Sequence, residues 1–277
     1  MTDGAPDGDW RLITEERLPG ALAMAFDTVA AETAADGGPR TVRVYRWTPS
    51  TLSLGYRQDP STIAWEYCAT NGIDVVRRQT GGGAIYHDHT GDLSYSIIAP
   101  AEELPDDLMD SYGILCQPIL ETFRELGIDA EFADEKQPAL HEPACYLRAL
   151  HPAHDMVGDS GRKIAGNAQY RTRDAIVQHG SLSFRVDADR HLSCFADPGV
   201  TPEEFRDRVT GIAEERGEPP TDSLRERAVE TLETTLAEWC GAEADSWTER
   251  ERERAETIAE EKYRTDAWTR NREAPEL

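Results

Sequence analysis

Apolar residues along this chain recur at two spacings. The run LPGALAMAFDTVAAE at residues 18–32 has the alanine, leucine and methionine content of a helix, and the ADGGPR that follows would stop it. Residues 41–47 (TVRVYRW) alternate β-branched and aromatic side chains with polar ones, which predicts a half-buried strand. TPSTLSLGY continues with a turn and a second strand, and residues 73–79 (IDVVRRQ) make a third. A strand pair is expected within residues 92–99, and residues 108–127 read as one amphipathic helix. RKIAGNAQYR and AIVQHGSLSFRV resume the strand alternation, and from Pro202 onward the chain is helical and highly charged.

Residues 136–160 are rich in Pro, His and Ala without periodicity, which predicts a long loop of the kind that often carries function. No internal repeat interrupts this order. The expected fold class is α+β: a mixed β-sheet with flanking helices, in a domain over residues 10–235. A charged helical tail over residues 236–277 would pack on or extend it; its Glu and Arg residues at helical spacing suit a solvated face.

Charge narrows the function classes. The chain carries 29 basic and 53 acidic residues, a net charge of −24, so nucleic acid and anionic membranes are not expected partners. Its lysines are Lys136, Lys163 and Lys262 alone, arginine supplying the other positive charges. A lysine-poor acidic surface suits a cytosol rich in salt, and a halophilic host is expected. Cys68, Cys116, Cys145, Cys194 and Cys240 are odd in number and widely spaced, which suggests neither a disulfide framework nor a zinc site, and no metal site is expected. The first residues lack a basic segment followed by an apolar run, and no stretch reaches the roughly 18 apolar residues of a membrane span, so a cytoplasmic location is expected.

RRQTGGGAIYHD, from Arg77 to Asp88, is the most informative segment. Gly81, Gly82 and Gly83 remove every β-carbon over three residues, so a ligand can lie against the main chain and its N–H groups. Arg77 and Arg78 could neutralise a phosphate or carboxylate. A glycine-rich turn with solvent-facing arginines is the alternative. GRKIAGNAQ holds Lys163, whose compact ammonium can stabilise negative charge developing on an oxygen; alone, such a lysine is more often a surface residue. His179, in QHGS, suits either acid–base chemistry or a hydrogen-bonded core position, the latter favoured. Cys145, in PACY, is either a nucleophile activated by a nearby cation or a small buried hydrophobe.

Taken together, RRQTGGGAIYHD, GRKIAGNAQ and QHGSL resemble the lipoate-protein ligases, octanoyltransferases and biotin-protein ligases. Weaker matches at MAFD (24–27), SLGY with Gln58, and Lys262-Tyr263 to Trp268 extend the resemblance over roughly residues 10–270. The resemblance implies an enzyme with an acyl tunnel beside the glycine segment. Arg78, Gly81, Gly82, Gly83 and His87 would line the acyl or acyl-adenylate site. Lys163 would touch the activated carbonyl or its phosphate, and Gly166, Asn167 and His179 would shape the pocket. The KIAG form of the lysine segment and the lack of a preceding helix-turn-helix favour the lipoyl branch over the biotin branch.

Two mechanisms compete within that branch. A ligase uses ATP and Mg²⁺ to form lipoyl-AMP, which the target lysine attacks. A transferase needs no such cofactor and carries octanoate from an acyl-carrier thioester through an acyl-cysteine. Ala144-Cys145-Tyr146 is similar to the Ala-Cys-aromatic sequence of one transferase class, whereas His154-Asp155 resembles the Asn-Asp of ligases. The expected halophilic host and the length of the loop tilt the reading slightly to the ligase, and a ligase of this length would need a small accessory subunit. Expected acceptors are lipoyl domains of 2-oxoacid dehydrogenase E2 chains or the glycine-cleavage H protein. A non-catalytic lipoate- or carrier-binding protein is a third reading, disfavoured by the intact lysine segment. Lys163→Ala is expected to abolish modification with the fold intact.

Overall fold

The computed structural model describes residues 4–134, 136–152 and 154–275. Its strands are β1 (Trp10–Leu18), β2 (Arg40–Trp47), β3 (Thr51–Leu54), β4 (Asp74–Arg77), β5 (Ile85–His87), β6 (Asp92–Pro100), β7 (Glu131–Phe132), β8 (Asp155–Val157), β9 (Lys163–Arg171), β10 (Ala175–Ser183) and β11 (Glu243–Ala244). Its helices are α1 (Gly20–Ala35), α2 (Trp65–Thr70), α3 (Leu108–Leu115), α4 (Gln117–Glu125), α5 (Ala188–Ser193), α6 (Pro202–Arg208), α7 (Ile212–Glu215), α8 (Asp222–Cys240), α9 (Glu249–Ile258) and α10 (Asp266–Asn271).

Eight strands form one mixed sheet in the order β11-β1-β2-β6-β10-β9-β8-β7, and β4-β3-β5 form a smaller second sheet. The large sheet is parallel across β11, β1 and β2 and antiparallel from β2 to β7. This is the α+β class with flanking helices that the sequence predicts.

Strand alternation decides what each face of the sheet meets. Val44, Leu93, Tyr95, Ile97, Ile176 and Leu182 point into a core shared with α3, α4 and α8. The opposite positions, among them Tyr45, Trp47, Ile98 and Val177, pack with α1 and with Ala255, Ile258 and Trp268 from the C-terminal segment. That segment is fixed to α1 by a stack of Phe26 on Trp247, ring centroids 4.6 Å apart, and α9 begins with a Thr248–Glu251 capping box.

Three sequence expectations need correction. Residues 10–18, for which the sequence pattern predicts no element, form β1, whose Trp10, Arg11, Leu12 and Ile13 are buried; sheet pairing on both edges outweighs its weak alternation. The helix expected over residues 108–127 is two helices broken at Cys116, since Pro118 has no N–H to offer the Ile114 carbonyl. Residues 92–100 are one long strand rather than a pair. No helix among the described residues is long and apolar enough to cross a membrane.

Candidate active site

The register of the large sheet aligns Tyr45, Ser94, Ser181, Gly166 and Asp155 in one transverse row across β2, β6, β10, β9 and β8. Three of the five are Ser or Gly, so the row forms a trough. From Gly166 to Tyr45 it crosses three strand spacings, about 14 Å at about 4.8 Å each. A cavity of about 320 Å³ lies over this floor. Met24, Tyr45, Trp47, Ile85 and His87 line it together with Cys145, Lys163 and His179.

At one end, Trp47 stacks on His87, ring centroids 4.3 Å apart, and donates its indole N–H to Ser94 Oγ at 2.8 Å. Both ring nitrogens of His87 are engaged, Nδ1 with Asp92 Oδ2 at 2.7 Å and Nε2 with Ser53 Oγ at 2.8 Å. Burial pushes His87 below the ordinary histidine pKa, against the pull of Asp92. His179 is likewise a link in a buried chain, Nδ1 to Asp27 Oδ2 at 3.1 Å and Nε2 to Thr80 Oγ1 at 2.7 Å.

At the other end, Lys163 is buried with Nζ 2.7 Å from Asp155 Oδ1 and donates to the Cys145 carbonyl at 3.2 Å. Burial draws the ammonium pKa down, but the Cys145 sulfur and the Asp155 carboxylate outweigh it, and Lys163 is held above the ordinary lysine value. Burial likewise raises the Asp155 pKa, but Lys163 and His154 hold its carboxyl well below the usual carboxylate range. Lys163 is thus a fixed cation. Asn167 braces this corner: its amide donates to the His154 carbonyl at 2.9 Å, and its Oδ1 accepts from Tyr95 OH at 2.5 Å.

The glycine segment meets the cysteine loop along its edge. Ala84 N–H donates to the Pro143 carbonyl at 2.7 Å, and Cys145 N–H donates to the Ala84 carbonyl at 2.8 Å. A β-carbon on Gly83 would stand 2.6 Å from the Pro143 carbonyl oxygen and 2.8 Å from Cys145 N, so only glycine allows this approach. Gly81 and Gly82 line the cavity. The N–H groups of Gly81, Gly82 and Gly83 have no acceptor among the described residues. The free donors of Gly81 and Gly82, at the wall of the cavity that Cys145 also lines, suit an oxyanion.

The arginines differ from expectation. Arg78 reaches the cavity wall, but it donates to the carbonyls of Ser53, Gly81 and Gly83 and to Thr80 Oγ1. Arg77 donates to the carbonyls of Gly55, Tyr56, Gln58 and Thr269. Arg78 therefore holds the glycine loop in shape by serving its carbonyls, and Arg77 ties the turn after β3 to α10. Gly83 buttresses the loop instead of lining the cavity. Cys145, Lys163, Gly81, Gly82, His87, Gly166, Asn167 and His179 all come together at the cavity wall. Sequence reasoning missed Asp155 as partner of Lys163, and Trp47, Ser94 and Ser181 as its other walls.

The sequence profile of the lipoyl protein ligase A/B catalytic domain matches residues 19–233. The octanoyltransferase LipM of Halalkalibacterium halodurans is 33% identical over 273 residues, covering 94% of this chain and 98% of that one. The octanoyltransferase LipM of Bacillus subtilis is 31% identical over 277 residues, covering 95% and 98%. Among solved structures, lipoate-protein ligase A bound with ATP superposes with a TM-score of 0.76 at 22% identity, covering 95% of this chain and 99% of the other. The bipartite lipoate-protein ligase of Thermoplasma acidophilum gives 0.76 at 21%, covering 98% and 99%. These two likenesses establish the shared fold. The profile match and the full-length relatives place this chain in the lipoyl protein ligase A/B catalytic-domain family, as an enzyme of that type.

Proposed function

We propose that the protein is an octanoyltransferase that moves an octanoyl group from a carrier thioester to a lysine of a lipoyl carrier domain, through an acyl-enzyme on Cys145. The observation that carries this reading is that Cys145, Gly81, Gly82 and Lys163 line one cavity, with Lys163 Nζ donating to the Cys145 carbonyl at 3.2 Å. Full-length similarity to relatives named octanoyltransferase supports it over the lipoyl-AMP route that the sequence alone slightly favours.

In the first half-reaction the Cys145 thiolate attacks the thioester carbonyl. The N–H groups of Gly81 and Gly82 meet the oxyanion, and the ammonium of Lys163 offsets the negative charge that develops in the cavity. The C–S bond to the donor breaks, and the donor thiolate leaves. In the second, a neutral lysine amine attacks the acyl-cysteine, the Cys145 C–S bond breaks to regenerate the thiolate, and the surplus proton goes to solvent. The saturated chain lies in the trough over Ser181 and Ser94, sealed from water by Trp47 and His87. Neither step calls for ATP or Mg²⁺. The acceptors are lipoyl domains of 2-oxoacid dehydrogenase E2 chains or the glycine-cleavage H protein.

The test is intact mass of enzyme and apo lipoyl domain after incubation in high salt with octanoyl-carrier without ATP and, in parallel, with lipoate, ATP and Mg²⁺. The expected result is one octanoyl group on the wild-type enzyme, none on Cys145→Ser, and transfer to the domain. ATP-dependent lipoyl attachment that survives Cys145→Ser would establish the ligase reading instead.

A further inference from the structure

We propose that a second groove, opening from the rim of the reaction cavity, binds the phosphopantetheine arm of the thioester donor, with Arg57 and Arg148 receiving its phosphate. This rests on the thioester-transfer reading above. The groove encloses about 560 Å³ and shares Gly81, Gly82, Arg148 and Gln169 with the cavity. A donor whose acyl chain fills the trough and whose carbonyl sits at Cys145 can lead its leaving group out over this shared rim.

Charge selects the ligand. In a chain of net charge −24, the groove carries three arginines, Arg57, Arg148 and Arg171, against Asp59 and Glu142. Arg171 is committed to the carbonyls of Ala101, Leu104 and Pro105 and to Asp106. Arg148 has only a loose pair with Glu142 at 3.3 Å, with both side chains well exposed, so a phosphate can displace it at little cost. Arg57 is exposed and has neither a hydrogen bond nor an ion pair among the described residues. Where carboxylates outnumber cations nearly two to one, a guanidinium left open beside the reaction site is a ready anion receptor.

The groove wall also matches the middle of the arm, which presents two secondary amides. Gln58 spends its side-chain N–H groups on Thr62 Oγ1 and the Pro143 carbonyl, and Gln79 spends its own on Thr28 Oγ1 and Tyr263 OH. The Oε1 atoms of both have no donor among the described residues and can accept from the arm's amides. A pantetheine phosphate occurs both on carrier proteins and in coenzyme A, and the groove recognises the part they share.

The test compares acylation of Cys145 by octanoyl-pantetheine and by octanoyl-4′-phosphopantetheine, followed by intact mass. On the wild type, the phosphate is expected to lower KM by about tenfold, the return of one charge-assisted contact at a partly exposed site. In Arg57→Gln/Arg148→Gln that ratio is expected to fall to about one. Octanoyl-coenzyme A and octanoyl-carrier, run beside them, identify the natural source of the arm. Acylation by both small donors with no phosphate preference, or a preference that survives in the double variant, overturns the groove assignment alone. No acylation from any donor overturns the transfer reading with it.

Discussion

Lys163 Nζ lies 2.7 Å from Asp155 Oδ1 across neighbouring antiparallel strands, with the two side chains 2% and 5% exposed. The pair holds a permanent cation beside the Cys145 carbonyl while burying two charges, so its chemical and structural roles are entangled.

Removing one partner strands the other charge away from water. Lys163→Ala is therefore expected to abolish transfer and also to lower stability by about 3–5 kcal/mol, which revises the expectation of an undisturbed fold. Lys163→Met combined with Asp155→Asn removes both charges and is expected to recover most of that stability while staying inactive. Urea unfolding of the two variants beside an acylation assay separates the roles; a double variant as unstable as the single one would sink the account.

A second expectation concerns acid. His191 is buried against Phe195 and Phe205, and its Nε2 has no partner among the described residues. Burial, aided by His87 and His141, pushes its pKa down to about 3. Below the ordinary histidine pKa the unfolded chain binds a proton that the folded chain refuses, so stability is lost as pH falls from about 6.5 toward 3. Between pH 6.5 and 4.5 this one group costs about 2–3 kcal/mol. His191→Phe fits the same aromatic surroundings and is expected to remove that part of the acid sensitivity in urea unfolding at the two pH values. An unchanged difference would mean that other groups govern the acid limb.

How far the sequence reaches follows from the kind of signal each feature carries. The glycine and lysine segments are local motifs, and they led directly to the residues that meet at the cavity. What failed to show was everything that depends on register. In DLSYS and QHGSLS the alternation of serine with large apolar residues looks like an ordinary half-solvated strand. Only when β2, β6, β10 and β9 are paired do Ser94 and Ser181 fall into one row under α1, where their small size leaves room for a chain. The fate of Arg77 and Arg78 was hidden for a related reason. The acceptors of Arg77, namely Gly55, Tyr56, Gln58 and Thr269, lie far away in sequence, and although Arg78 serves the nearby Gly81 and Gly83 carbonyls, nothing in the local sequence distinguishes a guanidinium that grips a ligand from one that grips a loop.

Trp47 sets the far limit of the trough, so it should also set the acyl length. It stands two residues beyond Tyr45 on β2, held by its stack on His87 and its bond to Ser94. Truncation to alanine opens space continuous with the trough at a stability cost of about 3–5 kcal/mol, as for other buried tryptophans. The variant is expected to favour dodecanoyl over octanoyl donors by about tenfold more than the wild type, since each added methylene then finds apolar wall instead of an indole ring. Acyl-enzyme formation at matched donor concentrations, on variant shown to be folded by circular dichroism, gives the ratio directly. A lower rate with both donors and an unchanged ratio would place the chain end elsewhere.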